Sequence, residues 1–285
     1  MSDAPRNGDN YCYRHPDRQS FVLCQRCGRT ICPECQTQAA VGVHCPECVR
    51  ESRESAPRTK SAFVTRLRRN PDGRPVVTYS IIGLSLLVYL VQFVTGDQGS
   101  PVTSELTYYP VLTAAEPWRM LTAIFTHLSV LHVLLNMYTL FIFGPMLESS
   151  LGRIRFIALY LIAGFGGSVA VLLLAPDGGV AGASGAIFGL MGAFFVIQRR
   201  LGGGSTQVLV LIALNLAAGF FIGGISWQGH VGGLVAGVAT AAIMVATRQR
   251  KQRVLQVTLL AALVVVLIAI TAVLAIYFVP QYTRG

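Results

Sequence analysis

Seven apolar runs without one charged residue, at about 76–94, 120–143, 156–175, 183–198, 206–223, 225–247 and 254–279, constrain this chain more than anything else in it. Each approaches the about 20 residues that carry a helix across some 30 Å of hydrocarbon. Hydrocarbon admits only backbone whose polar groups are satisfied internally, so the expected fold class is all-α and polytopic, with seven membrane spans. The charges sit elsewhere. Of 36 charged residues, 21 lie in residues 1–75 and only 14 in residues 76–280. With 13% charged residues against about 25% for a soluble domain, and a mean hydropathy of +0.55, the chain reads as neither a soluble enzyme, a disordered polymer nor a disulfide-rich secreted domain.

All seven cysteines fall within the first 50 residues, and that segment has no apolar stretch of the kind a secretion signal needs. The head is therefore expected to stay in the cytoplasm, where paired thiols mean metal more often than disulfides. Placing it there puts thirteen Lys and Arg in segments 60–75, 144–155, 199–205 and 248–253 on the same side, against Arg119 and Arg284 on the other. This asymmetry satisfies the positive-inside rule and predicts a plasma-membrane protein with a cytoplasmic N-terminus and an extracytoplasmic C-terminus. Residues 51–75 read as a basic flexible linker, with Arg66, Arg68, Arg69 and Arg74 resting on anionic headgroups of the bilayer. Basic residues bracket spans rather than forming an aromatic-interleaved patch, so the net charge of +10 calls for no nucleic-acid partner.

Polar groups inside spans are expensive and therefore functional candidates. The second run is read as holding His127, His132 and Asn136, the fourth opens with Gly182-Ala183-Ser184-Gly185, and the sixth opens with Gln228-Gly229-His230. In the expected orientation these runs all enter from outside, so His127, His132, Ser184 and His230 share the outer half of the bilayer. A serine beside a histidine is the minimal activated nucleophile, because neutral Ser is weak until a base takes its proton. No acid after residue 100 falls in the outer half of a span, which predicts a Ser-His dyad rather than a triad. His132 and Asn136, one helical turn apart, then suit hydrogen bonding to an oxyanion alongside the Ser184 amide. Glycines recur at Gly182, Gly185, Gly189 and Gly192 and at Gly229, Gly233 and Gly237, spacings that let two helix backbones approach closely. The long segment 95–119, with Tyr108, Tyr109 and Trp118, is expected to lie in the membrane interface.

At these residues the chain resembles the rhomboid family of intramembrane serine proteases. The resemblance rests on Trp118-Arg119, His127, His132-x-x-x-Asn136, Gly144-x-x-x-Glu148, Gly182-Ala183-Ser184-Gly185, and His230 with Gly233-x-x-x-Gly237, and covers residues 76–247. It implies a six-helix rhomboid core over 76–247 and one additional C-terminal helix in 248–285. It further implies Ser184 as nucleophile, His230 as general base and acid, and His132, Asn136 and the Ser184 amide as oxyanion hole, with no cofactor for catalysis. By the same resemblance Trp118 and Arg119 stabilise the interfacial loop and Glu148 the inner end of span two. Phe188 stands where many relatives carry a Tyr that stacks on the histidine; the ring is kept and the hydroxyl lost.

In residues 1–50, Cys12-x-x-His15, Cys24-x-x-Cys27, Cys32-x-x-Cys35 and Cys45-x-x-Cys48 make four ligand pairs, enough for two tetrahedral Zn2+ sites. Only four residues separate the second and third pairs, which favours a cross-braced arrangement: Cys12, His15, Cys32 and Cys35 on one ion, and Cys24, Cys27, Cys45 and Cys48 on the other. The outline resembles B-box-type zinc modules, and His44 is the one spare ligand. A head this small has too little core to fold without metal. Its expected role is to bind a protein partner that the sequence does not identify. The function expected for the whole is cleavage of single-pass transmembrane protein substrates near the outer membrane face. The alternatives are a catalytically silent rhomboid-like scaffold or chaperone for membrane helices, and a proton-relaying transporter.

Overall fold

In a computed structural model the described residues are 10–39, 41–55, 74–202, 206–221 and 224–282, and the chain divides into two compact units, residues 1–62 and 63–285. The basic cluster Arg66, Arg68 and Arg69 of the linker lies outside the described residues. In the first unit two short antiparallel ribbons, β1 (Tyr11–Cys12) with β2 (His15–Gln19) and β3 (Thr37–Gln38) with β4 (Val43–His44), precede helix α1 (Pro46–Ser55). The helix thus runs five residues past position 50, where the sequence suggested that the module ends. The interior is made largely of cysteine: Cys12, Cys24, Cys32, Cys35, Cys45 and Cys48 are buried with Ile31, and Tyr13 and Val43 pack partly buried against them.

The described residues of the second unit are mainly helical. Its elements are α2 (Val76–Val94), α3 (Pro101–Leu106), α4 (Arg119–Thr122), α5 (Val130–Leu151), α6 (Arg153–Leu174), α7 (Ser184–Arg200), α8 (Thr206–Phe221), α9 (Trp227–Ala246) and α10 (Arg253–Tyr282). Among the described residues, α2, α5, α6, α9 and α10 are long and apolar enough to cross a membrane by themselves, and α7 and α8 are shorter. Together they make the seven helices expected from the apolar runs. The most apolar stretch of α6 is 61% buried and that of α10 only 6%, which puts α6 at the centre and α10 at the periphery.

The centre is α6, α7 and α9, and glycine sets their separation. A Cβ on Gly233 would collide with the backbone of Gly185, and one on Gly237 with the backbone of Gly189. Gly166 of α6 meets Ala236 of α9 in the same way, so three helices rather than two share the small-residue seam. Without a hydrophobic driving force between helices in lipid, such close packing supplies the attraction. Gly233→Ala is therefore expected to cost about 2–4 kcal/mol through overpacking against rigid backbone. Thermal unfolding of the purified protein in detergent checks this; an unchanged midpoint would show that the seam can spread.

One expectation is corrected. The second span begins at Val130, not near residue 120, and His127 precedes it. Residues 119–125 form α4 and a single 3-10 turn, Thr126 is extended, and Ser129 caps α5 by accepting from the His132 amide at 3.2 Å. The non-helical backbone there is buried in protein, as irregular chain within a membrane domain must be. Gln92 of α2 meets that need: its Nε2 donates to the His127 carbonyl at 3.0 Å, and its Oε1 accepts from the His127 amide at 3.2 Å.

Candidate active site and candidate metal centre

Ser184 is the first residue of α7, and His230 stands in the first turn of α9, which Ser226 caps by accepting from the Gly229 amide. Because both helices enter the bundle from the same end, the two side chains meet: Ser184 Oγ lies 2.9 Å from His230 Nε2. Accepting at Nε2 leaves the imidazole proton on Nδ1, and Nδ1 has no hydrogen-bond partner among the described residues. Among the described residues no carboxylate hydrogen-bonds this ring. Phe188 orients it instead, stacked on it with centroids 4.2 Å apart and planes 17° from parallel. The single turn between Ser184 and Phe188 on α7 accounts for both contacts.

The approach to Ser184 is fixed from two sides. An antiparallel bridge joins Tyr108 and Val180, with N–H to O distances of 3.0 and 2.8 Å, and the Gly182 amide donates to the Ala123 carbonyl at 2.9 Å. Burial pushes the Tyr108 hydroxyl up to about 12, so it stays a neutral partner of Thr113. Gly182 holds φ at +119°, where a side chain is strained, and a Cβ there would lie 2.6 Å from His132 Nε2. Glycine at this position lets the histidine ring reach the entrance of α7. Asn136 donates to the His132 carbonyl at 2.9 Å, which uses one of its two amide hydrogens. His132, Asn136, Ser184, Phe188 and His230 all line one cavity of about 540 Å3, whose wall also includes Leu135 of α5 and Leu211 and Asn215 of α8. His127 is not on that wall; fully buried, it meets His132 edge to face at 5.1 Å.

The supporting residues act locally. Arg119 is 4% exposed and gathers the segment before it, pairing with Glu116 and with Glu105 at 3.0 Å and donating to the carbonyls of Ser104 and Thr107. Trp118 is exposed, as a residue at a lipid interface can be. Glu148 reaches from α5 to the start of α2, where its carboxylate accepts from Val77 N at 3.0 Å, Thr78 N at 2.8 Å and Thr78 Oγ1 at 2.7 Å. It supplies the N-terminal cap that Pro75 cannot, and its charge suits that end of the helix dipole. Sequence reasoning missed Gln92, Thr78 and the α6 glycines, whereas Ser129 and Ser226 were open to it as cap residues ahead of apolar runs.

In the first unit the eight ligand candidates form two groups, Cys12, His15, Cys32 and Cys35, and Cys24, Cys27, Cys45 and Cys48, with the ligand atoms of each group within 4.8 Å of one another. This is the cross-braced pairing, and His44 belongs to neither group. A tetrahedral zinc with bonds of about 2.3 Å to sulfur and 2.0–2.1 Å to nitrogen spaces its ligands by about 3.5–3.8 Å. Cys27 and Cys45 sulfurs are 3.7 Å apart, and His15 Nδ1 lies 3.4 Å from Cys32 and Cys35 and 3.8 Å from Cys12. Both clusters thus fit zinc. Gly28, at φ +73°, closes the turn after Cys27 and donates to the Cys24 carbonyl, which brings that pair together.

Comparison with known proteins matches the rhomboid domain over residues 114–247. "Rhomboid protease GluP" of Bacillus subtilis (strain 168) is 34% identical over 186 residues, 61% of this chain and 36% of that protein. "Putative rhomboid protease YdcA" of the same organism is 30% identical over 184 residues, 62% of this chain and 92% of that protein. "RHOMBOID-like protein 6, mitochondrial" of Arabidopsis thaliana is 36% identical over 149 residues, 49% of this chain and 47% of that protein. The chain thus spans about a third to a half of the length of GluP and RHOMBOID-like protein 6, and nearly the whole of YdcA.

Proposed function

The chain belongs to the rhomboid family, and on that premise we propose that it is an intramembrane serine endopeptidase working through a Ser184–His230 dyad. The observation that carries this reading is the 2.9 Å contact between Ser184 Oγ and His230 Nε2 in a wall of the cavity. His230 takes the hydroxyl proton as Oγ attacks the scissile carbonyl, then gives it to the leaving amine. Water, activated by the same imidazole, releases the acyl group and restores the serine. The oxyanion of each tetrahedral intermediate accepts from the Ser184 amide, the Asn136 side chain and the His132 ring. Phe188 keeps the base in plane, which suits a site whose Nδ1 has no carboxylate.

Substrates on this reading are single-pass membrane proteins whose segment at the cut is locally unwound, because helical backbone hides its carbonyls. The cavity wall shared by α5 and α8 suits entry of such a segment between those helices. The N-terminus is cytoplasmic, the dyad lies in the outer half of the plasma membrane, and the head carries two structural zinc ions and binds a protein partner.

A fluorophosphonate probe tests the nucleophile without knowledge of a substrate. The full chain in liposomes is expected to be labelled irreversibly at Ser184, with labelling lost in Ser184→Ala. A folded protein that neither labels nor cuts several reporter segments would instead be a membrane-helix scaffold.

A further inference from the structure

The end of the bundle opposite Ser184 carries five arginines around one opening: Arg153 and Arg155 at the start of α6, Arg248 and Arg250 between α9 and α10, and Arg253 at the start of α10. Among the described residues none of the five forms an ion pair. Among the described residues of the membrane unit, the one acid at that end, Glu148, is buried and committed to Val77 and Thr78. Guanidinium groups gathered around one opening repel one another, and an anion bound among them relieves that repulsion.

The opening leads into a cavity of about 1400 Å3 between α6 and α10, with apolar walls that include Ala158, Leu260 and Ala261. A second cavity of about 330 Å3 shares Ile162 and Val264 with it and continues to Phe165 and Ile268. From Arg253 to Ile268 the helix rises about 22 Å, close to half of a bilayer about 40–45 Å thick including headgroups. Charge at the membrane surface and an apolar channel one leaflet deep are the two halves of a lipid's chemistry. Protein itself does little to cover α10, whose most apolar stretch is only 6% buried, and its polar attachment here is Gln256, which accepts from Arg155 at 2.7 Å and donates to Thr247.

We propose that the groove between α6 and α10 binds one anionic diacyl phospholipid, its phosphate among Arg153, Arg155, Arg248, Arg250 and Arg253 and an acyl chain against Ile162, Leu260 and Val264. Guanidinium forks match phosphate oxygens bidentately, and basic pockets between membrane helices are where such headgroups are held. The lipid fills the gap beside α10 and fastens that helix to α6. This site is independent of the protease reading.

The test is native mass spectrometry of the delipidated full chain in detergent, titrated with dioleoyl phosphatidylglycerol, dioleoyl phosphatidylcholine or glycerol 3-phosphate. One phosphatidylglycerol is expected to be retained at about tenfold lower concentration than phosphatidylcholine, and glycerol 3-phosphate is expected not to compete. The triple variant Arg248→Gln, Arg250→Gln, Arg253→Gln should erase that preference. Arg199→Gln with Arg200→Gln, the same kind of charge loss at the same end of α7, should preserve it. Ala261→Trp, which keeps every arginine, should weaken phosphatidylglycerol binding by filling the groove. Equal losses in the triple variant and the Arg199, Arg200 control, an unchanged affinity in Ala261→Trp, or a protein dimer in place of the lipid adduct would each overturn the proposal.

Discussion

Ser184→Ala, His230→Ala and the double variant are expected to share a single residual rate of reporter cleavage in liposomes, at least about 1,000-fold below the full chain. The reason is that nucleophile and base act as one unit. Once the hydroxyl is gone the base has no proton to take, and once the imidazole is gone the hydroxyl remains a poor nucleophile. The second substitution therefore has nothing left to remove. Asn136→Ala and His132→Ala should behave differently, each losing about 100- to 1,000-fold in kcat, because they weaken charge stabilisation while the dyad persists. A His230→Ala variant within tenfold of the full chain would mean that another group takes the Ser184 proton. His132 is the natural suspect, as the other imidazole on the cavity wall. A double variant much slower than either single one would point the same way.

The candidate site was legible in the sequence to the extent that its chemistry is rare in hydrocarbon. Ser184, His132 and His230 stood out because few polar groups interrupt the apolar runs, and the opening of each run told which end of the bundle they share. The cavity brings them together. His127 was assigned to a span because hydropathy measures burial, and residues 120–129 are apolar for the sake of burial in protein rather than in lipid. What separates the two cases is who satisfies the backbone, and that partner, Gln92, lies 35 residues away on α2. Glu148 shows the same limit from the other side. Its place at the inner end of α5 was readable, but its partners are amides at the start of α2, and nothing in a run of valines announces a cap that comes from elsewhere. The α6 glycines went unremarked although Gly164 and Gly167 stand three apart, a one-face spacing, and Gly166 and Gly167 complete the seam with α9.

Removing metal from the head is expected to unfold it outright while leaving the membrane unit intact. The argument is one of supply. Among the described residues 10–55 the fully buried apolar side chains are cysteines and one isoleucine, with Tyr13 and Val43 partly covered, so most of the apolar stabilisation a domain ordinarily draws on is missing. What replaces it is coordination, and structural zinc contributes about 10–16 kcal/mol apparent per site in small peptides near neutral pH. Thiolates as close as those of Cys27 and Cys45, 3.7 Å apart, would repel one another without a cation, so such a cluster makes sense as a fold with an ion present. Elemental analysis should return two zinc per chain. Cys24→Ser with Cys27→Ser should return one, because those residues serve only the second cluster. Chelation should then collapse amide-exchange protection across β1 to α1 and leave α5, α6, α7 and α9 protected. Acid should act in the same direction, since protons compete with zinc for the thiolates and the head loses stability as pH falls. Because the two units are compact separately, a chain reduced to residues 60–285 should still label with a fluorophosphonate at Ser184. A folded but unlabelled truncation would make the cysteine-rich head a working part of the proposed site, and full exchange protection in a metal-free head would refute the coordination argument itself.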